Sequence, residues 1–289
     1  MTVVVTGATG HLGRLIVESL LARGAEPTSI VAAGRQADKL AALAELGVTT
    51  ASIDYSDEAS LAAAFVGADS VMLVSGTEMG QRVAQHAAVI TAAQAAGVGR
   101  IVYTSAPQAD TSALILAPEH KATEELIRAS GLGFTILRNG WYTENYLDML
   151  DQSDASGEIA VSVGDGRVAS ASRADYADAA AVVLLGEGHD GATYELSGDV
   201  AWNFGDLAAA FSDILGREIP FRAISTEEHI AEMTAAGLPA GAVQFVAALD
   251  SNIRDGALEV TSGDLAQLIG RPTTPLLQGL RTARGILVG

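Results

Sequence analysis

Residues Val3 to Gly13 read VVVTGATGHLG, a β-branched run that ends on Gly7, Gly10 and Gly13 and leads into an apolar stretch of helical period. Such a run predicts a buried strand, and the glycines stand where that strand must turn abruptly into a helix. Glycine there accepts positive φ and lets backbone N–H groups approach an anion, while the helix that follows presents its positive end. The spacing is G-x-x-G-x-x-G, not the G-x-G-x-x-G of the dinucleotide fingerprint. Its position, after the first strand and at the start of a βαβ unit, still argues for a pyrophosphate site formed by Gly7, Ala8, Thr9, Gly10, His11 and Leu12. His11 reads as a spacer that presents its N–H.

The pattern continues as this start requires. Strands are predicted at Thr2–Thr6, Ser29–Ala33, Thr49–Asp54, Ser70–Val74, Ile101–Thr104 and Phe134–Arg138. Helices are predicted near Leu12–Ala22, Ala37–Leu46, Glu58–Phe65, Gln81–Ala96 and Glu119–Ser130. Alternation of this kind gives an α/β fold, a Rossmann-like doubly wound parallel sheet of six strands. Beyond Asn139, turns such as Gly164-Asp165-Gly166 and Gly198-Asp199 separate short strands (Glu158–Val163, Thr193–Leu196, Ile219–Ala223) from helices, the pattern of a smaller α+β C-terminal domain. The division is read as 1–145 for nucleotide binding and 146–289 for a substrate or lid portion, parts of which pack on or rejoin the first.

Composition narrows the function classes. The 17 basic residues against 35 acidic ones leave a formal charge of −18, and a surface this acidic repels nucleic acid and anionic lipid. The absence of cysteine removes disulfides, thiolate metal sites and cysteine nucleophiles. The five histidines have no metal-ligand spacing, and no G-x-S-x-G elbow occurs, so neither metal nor acyl-transfer chemistry is expected. His86 and His120 read as surface or packing residues, although His120, preceding Lys121, can point toward a cleft. The amino terminus lacks the basic region of a signal peptide, and no apolar run is long enough to span a membrane, so the expected compartment is the cytoplasm.

Several segments together resemble one family: the glycine turn, Tyr103-Thr104-Ser105, HKATEEL around Lys121, LRNGWYTENY from Leu137 to Tyr146, ASRADY from Ala171 to Tyr176, and the closing LIGRPTTPL. They resemble the NmrA-like atypical short-chain dehydrogenase/reductases, most of all the bacterial type 2 NAD(P)H:quinone oxidoreductases, nearly end to end. The resemblance implies a cleft between a Rossmann-like domain and a small carboxy-terminal domain, holding the nicotinamide and a quinone. Two other functions stay open beside it: a non-catalytic NADP(H)-binding redox sensor, and a reductase of cationic triphenylmethane-type dyes.

The residues specify the cofactor further. The second strand ends Ala33-Gly34-Arg35, with no acid to grip a ribose 2′-hydroxyl, and the fork of Arg35 suits a 2′-phosphate, which points to NADP(H). Lys39 adds a second positive charge. Asp54 ends the third strand, where the family usually holds an acid near the adenine, and Ser75-Gly76-Thr77 ends the fourth, beside the switch point. The bland alternative for Arg35 is a solvated surface arginine.

The chemistry is defined partly by what is missing. Standard short-chain enzymes use Tyr-x-x-x-Lys; Lys121 matches the lysine by context, but Ala117 stands where the tyrosine would be. The loss of a positioned acid costs ~10²–10⁴ when a carbonyl must be protonated. That disfavours alcohol oxidation and suits a quinone, whose reduced anion water can protonate. Lys121 as a helix pair with Glu125 is the alternative. Asn139, Gly140, Trp141, Tyr142, Thr143 and Glu144 follow the sixth strand at the ligand-binding edge. Trp141 and Tyr142 are candidates to wall the acceptor pocket, or to serve as an interdomain core. Arg173 and Asp175 read as ties between the two portions.

Overall fold

The computed structural model describes residues 1–286. In chain order the sheet-and-helix alternation runs β1 (Val3–Val5), α1 (His11–Ala22), β2 (Ile30–Gly34), α2 (Ala37–Ala44), β3 (Thr49–Ser52), α3 (Glu58–Ala64), β4 (Ser70–Leu73), α4 (Arg82–Ala95), β5 (Arg100–Ser105), α5 (Ala117–Ala129) and β6 (Gly133–Asn139). The remainder comprises α6 (Leu147–Ser156), β7 (Ile159–Val161), β8 (Arg167–Val168), α7 (Arg173–Leu185), β9 (Thr193–Leu196), β10 (Trp202–Asn203), α8 (Phe204–Leu215), β11 (Phe221–Ala223), α9 (Thr226–Ala235), α10 (Ala240–Arg254), α11 (Asp264–Ile269) and α12 (Leu276–Ala283).

The central sheet has seven strands in the order β3-β2-β1-β4-β5-β6-β9, every neighbouring pair parallel. Its middle strands β1 and β4 are buried along their whole length because helices cover both faces, which is why they read as continuous apolar runs rather than alternating ones. The order reverses between β1 and β4. At that reversal the β1–α1 and β4–α4 loops diverge and leave a crevice.

The sequence predicts six strands in this sheet, and the structure has seven. The extra one, β9, pairs with β6 in the register Ile136 to Thr193 through Asn139 to Leu196. The preceding helix α7 packs on α1, burying Ala177, Ala180 and Leu184 with Leu20 and Val17 in one core. The βαβ unit from β6 to β9 is interrupted by α6, β7 and β8, and this separation hides it from a reading of local alternation.

The other late elements form a second core around Trp202, Phe204, Leu207, Phe211 and Ile253. It also takes in Ala106 and Leu114 from the β5–α5 connection, Ala117 at the start of α5, and Tyr146 and Leu150 after β6. The closing segment is fastened by Asp175, fully buried on α7, which accepts hydrogen bonds from the Thr274 N–H at 2.9 Å, the Thr274 hydroxyl at 3.1 Å and Arg271 at 2.7 Å. Among the described residues, no helix is long and apolar enough to cross a membrane.

Candidate active site

A cleft of about 610 Å³ opens along the carboxyl ends of β1 through β6. One end is built from main chain. Gly7 takes φ +63°, a conformation that L side chains rarely adopt, and a Cβ on Gly13 would lie 2.6 Å from the carbonyl carbon of Gly7 and closer still to its oxygen. The turn therefore folds back on its own helix only with glycine at both places. Gly10 is different: a Cβ there would meet only the Gly7 carbonyl oxygen, at 3.2 Å, so the fold does not demand glycine. Gly10 also caps α1 without any side-chain hydrogen bond, so the first-turn amides have no internal acceptor. Their open face is a cradle for an anion.

Thr9, Gly10, His11 and Leu12 line the cleft; Ala8 does not, being buried with its N–H donated to the Ala33 carbonyl at 2.9 Å. Arg35 and Lys39 line the outer part of this end, and the guanidinium of Arg35 pairs with Glu78 at 3.0 Å across the cleft mouth. Asp54 is present there too, with its carboxylate accepting the Ser56 N–H at 2.8 Å. Beside it lies Tyr55, absent from the sequence reading. Its hydroxyl donates to Thr6 at 2.7 Å, and burial pushes its pKa up to about 12. Ser75, Gly76 and Thr77 form the wall after β4, held by the Ser75 N–H on the Thr104 hydroxyl at 2.8 Å.

The other end is made of side chains. Asn139, Gly140, Trp141 and Tyr142 line it, with Ser105, Pro107, Leu114, Leu116 and His120 opposite. Gly140 sits so close to β9 and α7 that a Cβ would lie 2.8 Å from the Leu196 carbonyl and 2.9 Å from the Tyr176 hydroxyl. Asn139 donates to the Tyr142 hydroxyl at 3.2 Å, and its buried Oδ1 has no partner among the described residues. Burial raises the Tyr142 phenol above its ordinary range, so the hydroxyl stays protonated. The guanidinium of Arg173 lies 5.0 Å over the Tyr142 ring and also lines the cleft. The expected tie between chain portions therefore borders the site itself.

Besides Ala8, three sequence candidates lie outside this cleft. Lys121 is exposed, and its ammonium reaches the Asp110 carbonyl at 3.5 Å; the turn of α5 that aims His120 inward aims the next residue outward. Thr143 is buried against Ser170 at 2.8 Å. The Glu144 carboxylate accepts the Arg173 N–H at 2.9 Å, at the start of α7. Both serve the short turn after β6 that positions Trp141 and Tyr142.

Behind the cleft wall lies a buried polar chain that sequence reasoning missed. The Gly76 N–H donates to His86 Nε2 at 3.0 Å, which leaves the proton on Nδ1, and that nitrogen meets the Thr123 hydroxyl at 3.0 Å. Thr123 in turn donates to the Glu119 carbonyl at 2.9 Å. Tyr103 meets His120 Nδ1 at 2.7 Å. Burial, with the Arg82 cation nearby, pushes both His86 and His120 down to about 3. Arg82 is held by the Gly76 carbonyl at 2.8 Å and is paired with Glu119. The signal for these residues was thin: two histidines on predicted helices, one of them beside Lys121.

A crevice at the sheet's switch point, with an uncapped glycine turn on one side and an aromatic wall on the other, defines a dinucleotide-binding α/β protein. Residues 7–187 match the NAD(P)H-binding family, and the chain belongs to it. It is similar over nearly its whole length to quinone oxidoreductase 2 of Escherichia coli, 44% identical over 278 residues that cover 96% of this chain and 97% of that protein. The crystal structure of the E. coli NADPH-dependent quinone oxidoreductase complexed with NADPH matches with a TM-score of 0.92 at 43% identity, covering 99% of each chain. Triphenylmethane reductase of Citrobacter sp. complexed with NADP(H) matches with a TM-score of 0.91 at 37% identity, covering 98% of this chain and all of that one.

Proposed function

We propose that this chain is an NADPH-dependent reductase that delivers a hydride to a quinone or similar conjugated acceptor, an NmrA-like atypical short-chain dehydrogenase/reductase of the cytoplasm. The observation that carries the reading is the form of the cleft. A main-chain anion cradle opens into an aromatic-walled chamber that contains no Tyr-x-x-x-Lys pair, and the chain is 44% identical to a quinone oxidoreductase. The residues present fit a reduced dinucleotide. The first-turn amides of α1 are open for its pyrophosphate, and Arg35 and Lys39 offer charge for a 2′-phosphate.

In this reading Gly7, Thr9, Gly10, His11 and Leu12 hold the pyrophosphate, Asp54 borders the adenine, and Ser75, Gly76 and Thr77 flank the ribose. Trp141 and Tyr142 wall the chamber in which nicotinamide and acceptor meet, with Asn139 and Gly140 shaping its floor. The cofactor supplies the hydride. The protein binds, orients and keeps out bulk water. The portion from 146 onward supports the chamber: Leu116 and Trp141 rest on its core, and Arg173 closes one side.

A second acceptor class has its own support. The net charge of −18 favours the approach of cations, and the likeness to the Citrobacter triphenylmethane reductase extends over nearly the whole chain. An acceptor screen that follows NADPH absorbance with quinones, cationic triphenylmethane dyes and secondary ketones tests both. Quinone-dependent oxidation is expected, with ketones inert. Binding of NADPH without oxidation by any acceptor would indicate a sensor and overturn the proposal.

A further inference from the structure

His120 stands at the start of α5, where its ring is almost wholly buried yet lines the chamber opposite Trp141 and Tyr142. Its Nδ1 is engaged by Tyr103, and its Nε2 has no hydrogen-bond partner among the described protein atoms. Nor is that nitrogen among the sealed polar atoms without partners, so it opens on the chamber. Thr123 is engaged by His86 and by the Glu119 carbonyl, and the buried Tyr103 hydroxyl meets His120 Nδ1 at 2.7 Å; a phenol that donates there leaves the His120 proton on Nε2. In that form Nε2–H faces the chamber that His120 lines.

We propose that His120, held in its Nε2–H form by Tyr103, is the hydrogen-bond donor that stabilises the oxygen of the acceptor as it gains negative charge. This rests on the quinone reductase reading and supplies what that reading lacks, a group for the developing oxyanion in a chain without the short-chain tyrosine. The balance is simple. The C4–H bond of the reduced nicotinamide breaks and its electron pair leaves with the hydrogen to reduce the acceptor. A carbonyl oxygen is left as an anion held by Nε2–H, and a solvent proton completes the hydroquinone while the nicotinamide remains oxidised.

His120 keeps its own proton throughout. A ring whose protonation is suppressed down to about 3 is neutral at working pH, so it acts as a fixed dipole and not as an acid that must be recharged. The buried Arg82, paired with Glu119, adds positive potential on the same side. Tyr103 acts through His120 and is a positioning residue.

The test compares His120→Phe, which keeps the ring volume, with His120→Gln, whose amide N–H approximates Nε2–H. NADPH affinity, measured by fluorescence titration, is expected to stay within about twofold in both, which separates a misfolded variant from an informative one. The kcat for quinone reduction is expected to fall about 10²-fold in His120→Phe, as for loss of one oxyanion donor, and to recover most of that loss in His120→Gln. Across a quinone series the loss should grow with the basicity of the reduced anion, whereas a packing role would lower every rate alike. Tyr103→Phe should cost several-fold in kcat with KM unchanged. Equal kcat for His120→Phe and the unsubstituted chain, or a loss independent of the quinone, would overturn the role of His120 while leaving the function intact. Failure of the unsubstituted chain to reduce any quinone would overturn both.

Discussion

At the β1 end of the cleft the ligand-facing surface is main chain: the turn from Gly7 to Leu12, whose shape depends on glycine at 7 and 13. At the β5 and β6 end it is side chains drawn from separate segments, with His120 from α5, Leu114 and Leu116 from the preceding connection, Trp141 and Tyr142 after β6, and Arg173 from α7. The first end depends on backbone geometry, which tolerates almost no substitution and is indifferent to what the ligand's far end carries. The second depends on shape and on a few hydrogen bonds. That division suits a protein in which one cofactor is fixed and the acceptor varies.

The sharpest way to break the comparison is within the turn itself. Gly13→Val should abolish the native fold or cost several kcal/mol, because its Cβ would overlap the Gly7 peptide. Gly10→Val should stay folded, with an unchanged circular dichroism spectrum, yet lose NADPH binding by ~100-fold or more, since its side chain would occupy the cradle. Equal tolerance of both by calorimetry and titration would mean that the turn is not an anion cradle.

The next effect concerns pH. His86 and His120 are held neutral when folded, pushed down to about 3, while in the unfolded chain they titrate near 6.5. Between those values the unfolded state binds more protons, so stability rises with pH through the window and is lost as pH falls below about 6.5. At pH 5 the loss is on the order of 2 kcal/mol for each histidine. Scanning calorimetry should show Tm falling from pH 7 to pH 5, with a shallower fall in His86→Gln, and kcat should show no histidine titration over the same range.

Arg35→Ala probes the outer rim of the main-chain end. It should weaken NADPH binding about tenfold and leave NADH binding unchanged, the low end of a charge-assisted contact, since Arg35 is largely exposed and already paired with Glu78. Isothermal titration with both cofactors checks this; equal losses for the two would remove the 2′-phosphate assignment. The smallest effect is expected from Tyr142→Phe, less than about tenfold in kcat, because the phenol is no essential proton donor. Trp141→Ala should cost more by opening the chamber, and steady-state kinetics with one quinone ranks the two.

The difference between the ends also explains what was legible in the sequence. Gly7 and Gly13 are visible because the backbone imposes them at a set spacing after a strand, and Arg35 because it follows β2 directly, at the carboxyl edge of the sheet where the cleft lies. The alternation of short β-branched runs with stretches of helical period announced six of the seven members of the sheet. The strand Thr193–Leu196 was legible, but it was assigned to the C-terminal portion and not to the sheet, because its partner β6 lies more than fifty residues earlier in the chain and pairing at that distance leaves no local pattern. His120 was undervalued for a related reason: on α5 one position separates a ring aimed into the chamber from Lys121 aimed at solvent, and helical period alone does not say which face the cleft will meet. Thr143 and Glu144 lay in a segment read as one block, but the short turn after β6 divides it into residues that face the cleft and residues that brace it.

The most direct test of the account is anaerobic single-turnover mixing of the NADPH-bound protein with 1,4-benzoquinone, using NADPH carrying deuterium or protium at the transferred C4 position. The account predicts that one NADPH is oxidised for each quinone reduced, that the deuterated cofactor reacts more slowly, and that the label leaves the nicotinamide. Tight NADPH binding with no oxidation, or oxidation that is insensitive to the label and not matched by quinone consumption, would contradict it.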